Sequence, residues 1–326
     1  MKRILITGGA GYVGSPLVRK LLEQDHLVSV LDLFIYGEDV LPKHKNLKLI
    51  KGDIRDQSLL TSILPGHDTA IHLACISNDP SFELNPNLGK SINFDAFKPL
   101  VDISINSGIK RFIYASSSSV YGAKSQKNVH EEMLLEPGTD YSRYKAACEK
   151  ILLEYNNKDF TTVVVRPATV CGYSPRQRLD LVVNILTNLA FHKRVIKVFG
   201  GNQLRPNIHI KDMVEAYLLL MKVPKEKINK KIFNIGFENQ TVENLAKMVK
   251  AVIGNDVQLK KEPTNDNRSY HISSKKIQQE LGFQTKFTVK DAINDLKDTF
   301  EKKLLSQPLE NENYFNVKKM QSINLE

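Results

Sequence analysis

Tryptophan is absent from the 326-residue chain, and cysteine occurs only at Cys75, Cys148 and Cys171. These thiols lie far apart, are too few for a disulfide framework and lack metal-ligand spacing, so no metal centre is expected. No apolar run approaches the ~18 residues that a membrane-spanning helix needs, so no membrane partner is expected. The opening "MKRILITGGAGYVG" offers only a brief apolar stretch before glycines, the pattern of a buried strand rather than a signal peptide. The cytoplasm is the expected compartment. Internal repeats and low-complexity linkers are also missing. A hydrophobic content of 41% and a charged content of 25% are those of an ordinary globular protein, long enough for one large or two modest domains.

Acidic residues are in short supply: 36 against 46 lysines and arginines, for a net charge of +10. That balance invites a nucleic-acid partner. The lysines, however, are scattered with no basic run interleaved with aromatics, so a solvated surface accounts for them and no nucleic acid is expected. Arginine is scarce, with eleven in the chain. Five of these (Arg166, Arg176, Arg178, Arg194 and Arg205) fall within one forty-residue window, which suggests a local anion site such as a diphosphate.

What the chain does have is rhythm. Short β-branched runs ("KRILIT", "LVSVLDL", "LKLIKGD", "DTAIHLA", "KRFIYASS", "FTTVVVRPATV") alternate with amphipathic segments. Strands too apolar to alternate, each followed by a helix, predict an α/β fold with a doubly wound parallel sheet covered on both faces. After about residue 172 the rhythm loosens. "GYSPRQRLDL" is an arginine-bearing loop, "LVVNILTNLAFH" a helix, "KVFGGNQLRPNIHI" two strands about a glycine turn, and "TVENLAKMVKAVIG" a helix capped by Thr241. The expected division is a dinucleotide-binding Rossmann domain over 1–172, with some later segments returning to it, and a smaller, mainly substrate-binding part over 173–326. The polar "NENYFNVKKMQSINLE" is expected to fray or to pack on the surface.

Gly8, Gly11 and Gly14 sit between the first strand and first helix. There they permit a tight turn and let a pyrophosphate approach backbone N–H groups at a helix N-terminus. Asp32 ends the second strand, where a carboxylate accepts from ribose hydroxyls and repels a 2′-phosphate, favouring NAD over NADP. Asp53 and Ile54, in "KGDIRD", follow the third strand where an adenine edge is met; the alternative is that Asp53 merely starts the next helix. Tyr141 and Lys145 share a helical face, and an ammonium beside a phenol favours the phenolate. Alone, that spacing is equally the spacing of any helix surface.

The ordered series "TGGAGYVG", "GDIRD", "IHLA", "ASSSSVYG", "YSRYK", "VVRPATVCG" and "RPNIHIKDMVEAY" resembles the extended short-chain dehydrogenase/reductases, in their nucleotide-sugar epimerase and dehydratase branch. The resemblance runs along nearly the whole chain. It implies a catalytic set of Ser117, Tyr141 and Lys145, with Ser116, Ser118 and Ser119 as alternatives for the serine. It implies that NAD is held by Gly8, Gly11, Tyr12, Val13, Gly14, Asp32, Asp53, Ile54, Leu73, Ala74, Lys145 and Pro167. A nucleoside diphosphate sugar would be bound through Ser77, Asn78, Ser117, Arg178, Asn184, Arg205 and Arg268. For Asn184 a helix-surface amide, and for Arg178 and Arg268 a structural salt bridge, are the alternatives. Tyr144, Cys171 and His209 are expected to be structural, and a homodimer through the tyrosine-bearing helix is implied.

The pattern also departs from its relatives. The 4,6-dehydratases carry Thr-Asp-Glu where this chain has Ser117, Ser118 and Ser119, so dehydration lacks its usual acid–base pair. The loop "VCGYSPRQRLDL" replaces the usual "YGP" and looks similar to a group that includes GDP-heptose dehydrogenases. The expected activity is oxidation of the sugar at C4 in a 4-epimerase. A 4-dehydrogenase and a keto-sugar reductase are alternatives from the same residues, and a noncatalytic NAD-sensing scaffold is an alternative of another class.

Overall fold

The computed structural model describes residues 1–124, 126–155, 158–264, 269–323 and 325. Its first strands are β1 (Arg3–Thr7), β2 (Leu27–Asp32), β3 (Leu47–Lys51), β4 (Thr69–His72), β5 (Arg111–Ala115) and β6 (Thr161–Pro167). They continue with β7 (Thr169–Cys171), β8 (Val195–Phe199), β9 (Leu204–His209), β10 (Lys231–Ile235), β11 (Glu238–Thr241) and β12 (Gln258–Glu262).

Seven of these form one sheet in the order β10-β6-β5-β4-β1-β2-β3, every pair parallel. Its central strands are apolar on both faces because both are covered: Ile4, Leu5 and Ile6 are all fully buried. Ile4 and Ile6 face a core shared with helices Gly14–Glu23 and Ile210–Lys222, while Leu5 faces one shared with Phe97–Asn106 and Asp140–Glu154. The doubly wound α/β fold expected from the strand rhythm is thus the observed one. Chain order reverses between β1 and β4, and in sheets of this kind the crevice beyond the carboxyl ends at that point receives ligands.

The second half is woven into the first. After β7, β8 and β9 leave the main sheet, helix Ile210–Lys222 returns to pack against Gly14–Glu23, and β10 pairs with β6. The remainder forms a lobe of two small sheets, β11-β9-β7 and β12-β8, with helices Val182–Lys193, Val242–Ile253 and Val289–Glu301 around Val183, Ile196, Leu245 and Ile293. Thr241 caps its helix as expected, its Oγ1 accepting from Asn244 N at 3.1 Å.

Of the two expectations for the tail, packing rather than fraying is observed: residues 316–322 form a helix whose Asn316 is 4% exposed. Tyr314 accepts from Leu179 N at 2.8 Å, and Met320 and Leu325 pack against the sheet's second core. Aromatics and methionine in an otherwise polar stretch were the signal for this docking.

Candidate active site

A cavity of about 510 Å³ opens at the carboxyl ends of β1, β2, β4, β5 and β6, a size suited to ligand binding. The glycine loop forms its floor. Gly8 has φ +75°, and a Cβ there would lie 2.6 Å from Ala74 N. On Gly14 a Cβ would meet Gly8 O at 2.5 Å, so side chains would close the turn that leaves the first helix's N-terminus open to an anion. Tyr12 spends its hydroxyl on Gly172 O (2.7 Å), anchoring the loop to the second half. Asp32 faces the same floor: one oxygen accepts from Ala10 N and the other from Phe34 N, each at 2.9 Å. Burial pushes its carboxyl above the ordinary range, with the two amides opposing.

Val13, Asp53, Ile54, Leu73, Ala74 and Pro167 also line the cavity. Asp53 is clasped by Arg55, whose Nη2 lies 2.7 Å from Oδ2, so it reaches the cavity as half of an ion pair. Beneath the floor, His72 at the end of β4 is fully enclosed and bonded to Thr7 Oγ1 at 2.7 Å. Burial, with the Lys145 charge nearby, depresses its pKa to about 3 and keeps it neutral.

The tyrosine and lysine lie on helix Asp140–Glu154, whose start is fixed by a capping box between Thr139 and Ser142. Tyr141 looks into the cavity; Lys145, 4% exposed, sits below with Nζ 5.8 Å from the Tyr141 ring centroid. That ammonium donates to Ala115 O at 2.7 Å. The phenol is not acidified in the chain alone. Burial pushes its pKa well above the ordinary value, the charges of Cys75 and Asp79 push it further, and Arg178 opposes. Tyr144 packs between Phe82 and Phe94, as expected of a structural residue.

The four serines separate by environment. Ser116 donates to Glu149, and Ser118 is 3% exposed. Ser117 Oγ lies 2.8 Å from Ser119 Oγ and accepts from Ser119 N at 3.1 Å, capping a short turn at the cavity wall. Ser77 and Asn78 form the facing wall. Asn78 holds φ +76°, an unfavourable conformation for a residue with a side chain, and caps Ser81 N at 2.9 Å.

The arginine window divides. Arg176, Arg178 and Arg205 line the cavity. Arg166 does not: it is buried in a two-pronged pair with Glu149, Nη2 to Oε2 at 2.6 Å. Arg194 is exposed and lies 3.4 Å from Asp256. Arg178 is both wall and salt bridge, with Nε 2.9 Å from Asp180 Oδ1 and Nη1 3.4 Å from Ser77 Oγ.

Asn184 is engaged within the protein. It is fully buried and does not line the cavity. Its Nδ2 donates to Arg178 O at 2.8 Å and to the Tyr12 hydroxyl at 3.0 Å, and Oδ1 accepts from Gly172 N at 3.0 Å. Both ends of the amide are used in holding the arginine loop on the glycine loop. Arg268 lies outside the described residues. Cys171 is buried and His209 caps helix Ile210–Lys222, as expected. Missed by sequence reasoning were Thr169, Tyr270 and Asn316, which line the cavity from β7, the segment after β12 and the tail, whereas Arg176 belongs to the arginine window read from the sequence as an anion site.

A family model described as "NAD dependent epimerase/dehydratase family" matches residues 4–236. The chain belongs to that family. It is accordingly an NAD-dependent enzyme, and the site's features suit the cofactor: glycines whose replacement would close the turn, a helix N-terminus behind them and a carboxylate, Asp32, in the cavity lining at the end of β2. Human dTDP-D-glucose 4,6-dehydratase is 28% identical over 319 residues, covering 90% of this chain and 88% of that protein. An uncharacterised protein, y4nG of Sinorhizobium fredii, is 36% identical over 225 residues, 68% of this chain but about half (54%) of y4nG. Among solved structures, UDP-glucose 4-epimerase of Thermotoga maritima with UDP-glucose superposes with a TM-score of 0.83 at 26% identity, over 93% of this chain and all of that one. MoeE5 in complex with UDP-glucuronic acid and NAD gives 0.81 at 25%, over 92% and 99%.

Proposed function

We propose that this family member binds a nucleoside diphosphate sugar, oxidises its C4 alcohol and returns the hydride to the other face, as a 4-epimerase. The observation carrying this reading is one wall that presents Tyr141 and Ser117, with Lys145 beneath, while the two positions after Ser117 hold serines and no carboxylate. Similarity to a 4-epimerase holding UDP-glucose supports it, and Ser118 and Ser119 stand where the resemblance implies an Asp-Glu pair in 4,6-dehydratases. The cofactor, held by the glycine loop, Asp32, Ile54 and Pro167, would supply the hydride acceptor. Tyr141 takes the hydroxyl proton as phenolate, which against its burial requires positive charge from Lys145 and from the oxidised cofactor. Ser117 orients the hydroxyl oxygen. Arg178 and Arg205 face the sugar nucleotide's phosphates across the cavity, and Ser77 and Asn78 line the sugar end.

Product mass after incubation with candidate sugar nucleotides tests this. An epimer has the substrate's mass. Loss of two hydrogens identifies a 4-dehydrogenase, gain of two a reductase, and loss of water overturns the argument from Ser118 and Ser119. We also propose pairing of two copies through helices Phe97–Asn106 and Asp140–Glu154, where Ile103, Ile105, Ile151 and Leu153 are only partly buried. Light scattering giving a monomer's mass at micromolar concentration refutes it.

A further inference from the structure

Arg176 is the least satisfied charge in the cavity. It is 3% exposed, its Nε is buried without a hydrogen-bond partner, and burial lowers its pKa to about 10. Such enclosure disfavours a cation, and among the described residues no carboxylate forms a salt bridge with it; the nearby Asp180 is taken by Arg178. What does hold it is neutral. Nη2 donates to Asn316 Oδ1 at 2.6 Å, and the guanidinium carbon lies 3.6 Å from the Tyr36 ring centroid. A buried guanidinium kept in place by an amide and an aromatic face retains its whole charge for something else.

Its position says what. The Arg176 amide reaches Ser15 Oγ at 3.3 Å, in the first turn of the ten-residue helix that follows the glycine loop. Tyr36 follows β2, and the charge of Arg176 acts on Asp32. The backbone of Arg176 is thus fastened to the first turn of that helix, while its guanidinium lies on Tyr36 in the cavity lining, close enough for its charge to act on Asp32.

We infer that Arg176 binds the diphosphate of the dinucleotide and that the C-terminal tail, through Asn316, is the latch that sets it there. Asn316 makes the connection from both ends of its amide. Oδ1 accepts from Arg176 and from the Tyr36 hydroxyl (3.2 Å), Nδ2 donates to Ser77 Oγ (2.8 Å), and its backbone N donates to Asp180 Oδ2 (3.0 Å). An asparagine suits this post where an aspartate would not, because a carboxylate would neutralise the guanidinium it orients. Met320 and Leu325, further along the tail, complete the cavity wall. The assignment rests on the family's dinucleotide cofactor and is independent of what happens to the sugar.

Calorimetric titration of the cofactor-stripped full chain with ADP-ribose, adenosine and uridine diphosphate tests it. For Arg176→Gln, ADP-ribose binding is expected to weaken about tenfold or more, with adenosine and uridine diphosphate within about twofold of the parent. For Asn316→Asp, which can pair the guanidinium, the same selective loss is expected with the melting temperature maintained. Equal loss for adenosine and ADP-ribose, or no loss, overturns the phosphate assignment; loss confined to uridine diphosphate moves Arg176 to the substrate. Hydrogen exchange on the unmodified protein provides a test free of folding defects. ADP-ribose should slow exchange in residues 314–322, and unchanged exchange there rejects the latch.

Discussion

At the scale of single residues, the site is a contest between burial and charge. In the proposed reaction Tyr141 loses a proton at a place where burial holds that proton on, and Lys145 is the nearby buried cation. Replacing Lys145 by methionine preserves length and removes charge. Because a cation favours the phenolate, its loss raises the tyrosine's pKa further, so the limb of kcat/KM that rises with pH moves to higher pH. A fall of about a hundredfold or more at neutral pH is expected, the usual scale of a positioned acid or base. A pH–rate profile of Lys145→Met checks this: reduced activity with the limb unmoved would show that Lys145 serves only to hold the Ala115 carbonyl. Asn184 illustrates the opposite lesson. A polar residue on an amphipathic helix is as ready to tie loops together as to meet a ligand, and only the positions of Tyr12 and Gly172 decide which.

At the scale of elements, the helix that carries Tyr141 and Lys145 is fastened to the sheet by a buried polar network. Glu149 receives the Ser116 hydroxyl and the Arg166 fork from β6. Arg166 also donates to the Tyr121 hydroxyl at 2.8 Å, which in turn donates to Asn234 of β10 at 2.8 Å. Ser116 adjoins Ser117, so the network fixes the segment bearing Ser117 relative to the helix bearing Tyr141. Removing one partner of such a pair leaves the other charge buried alone. Arg166→Ala should cost about 3–5 kcal/mol in urea unfolding. Adding Glu149→Gln to it should recover part of that loss by removing the stranded carboxylate; a double variant no more stable than the single one would show that lost packing, rather than stranded charge, sets the cost. The strands and the glycine turn were legible because their signals are local: apolar runs bounded by turn residues, and four glycines within seven positions. The fate of Arg166 was not, since its neighbours in the chain, Val165 and Pro167, reveal nothing of Glu149 seventeen residues earlier.

At the scale of the whole molecule, the chain crosses between its two lobes repeatedly, and the cavity lies where those crossings meet. The loop after β7, helix Ile210–Lys222, β10 and the tail each carry second-half sequence onto the first half. These junctions escaped the sequence because they join distant positions: Asn316 bonds Tyr36, 280 residues away. An element that supplies β10 to one sheet and continues directly into β11 of the other cannot be released by one lobe without disturbing the other. Calorimetry is therefore expected to give a single unfolding transition, with two resolved transitions as the result that would show independent lobes. The cofactor should shift that transition as a unit. NAD at about a hundred times its dissociation constant stabilises the native state by about 2.7 kcal/mol if the unfolded chain does not bind it. Because the lower wall comes from the glycine loop and the upper one from the arginine loop and tail, that stabilisation acts on both lobes. A melt in which NAD splits one transition into two would mean that the cofactor grips only the parallel sheet.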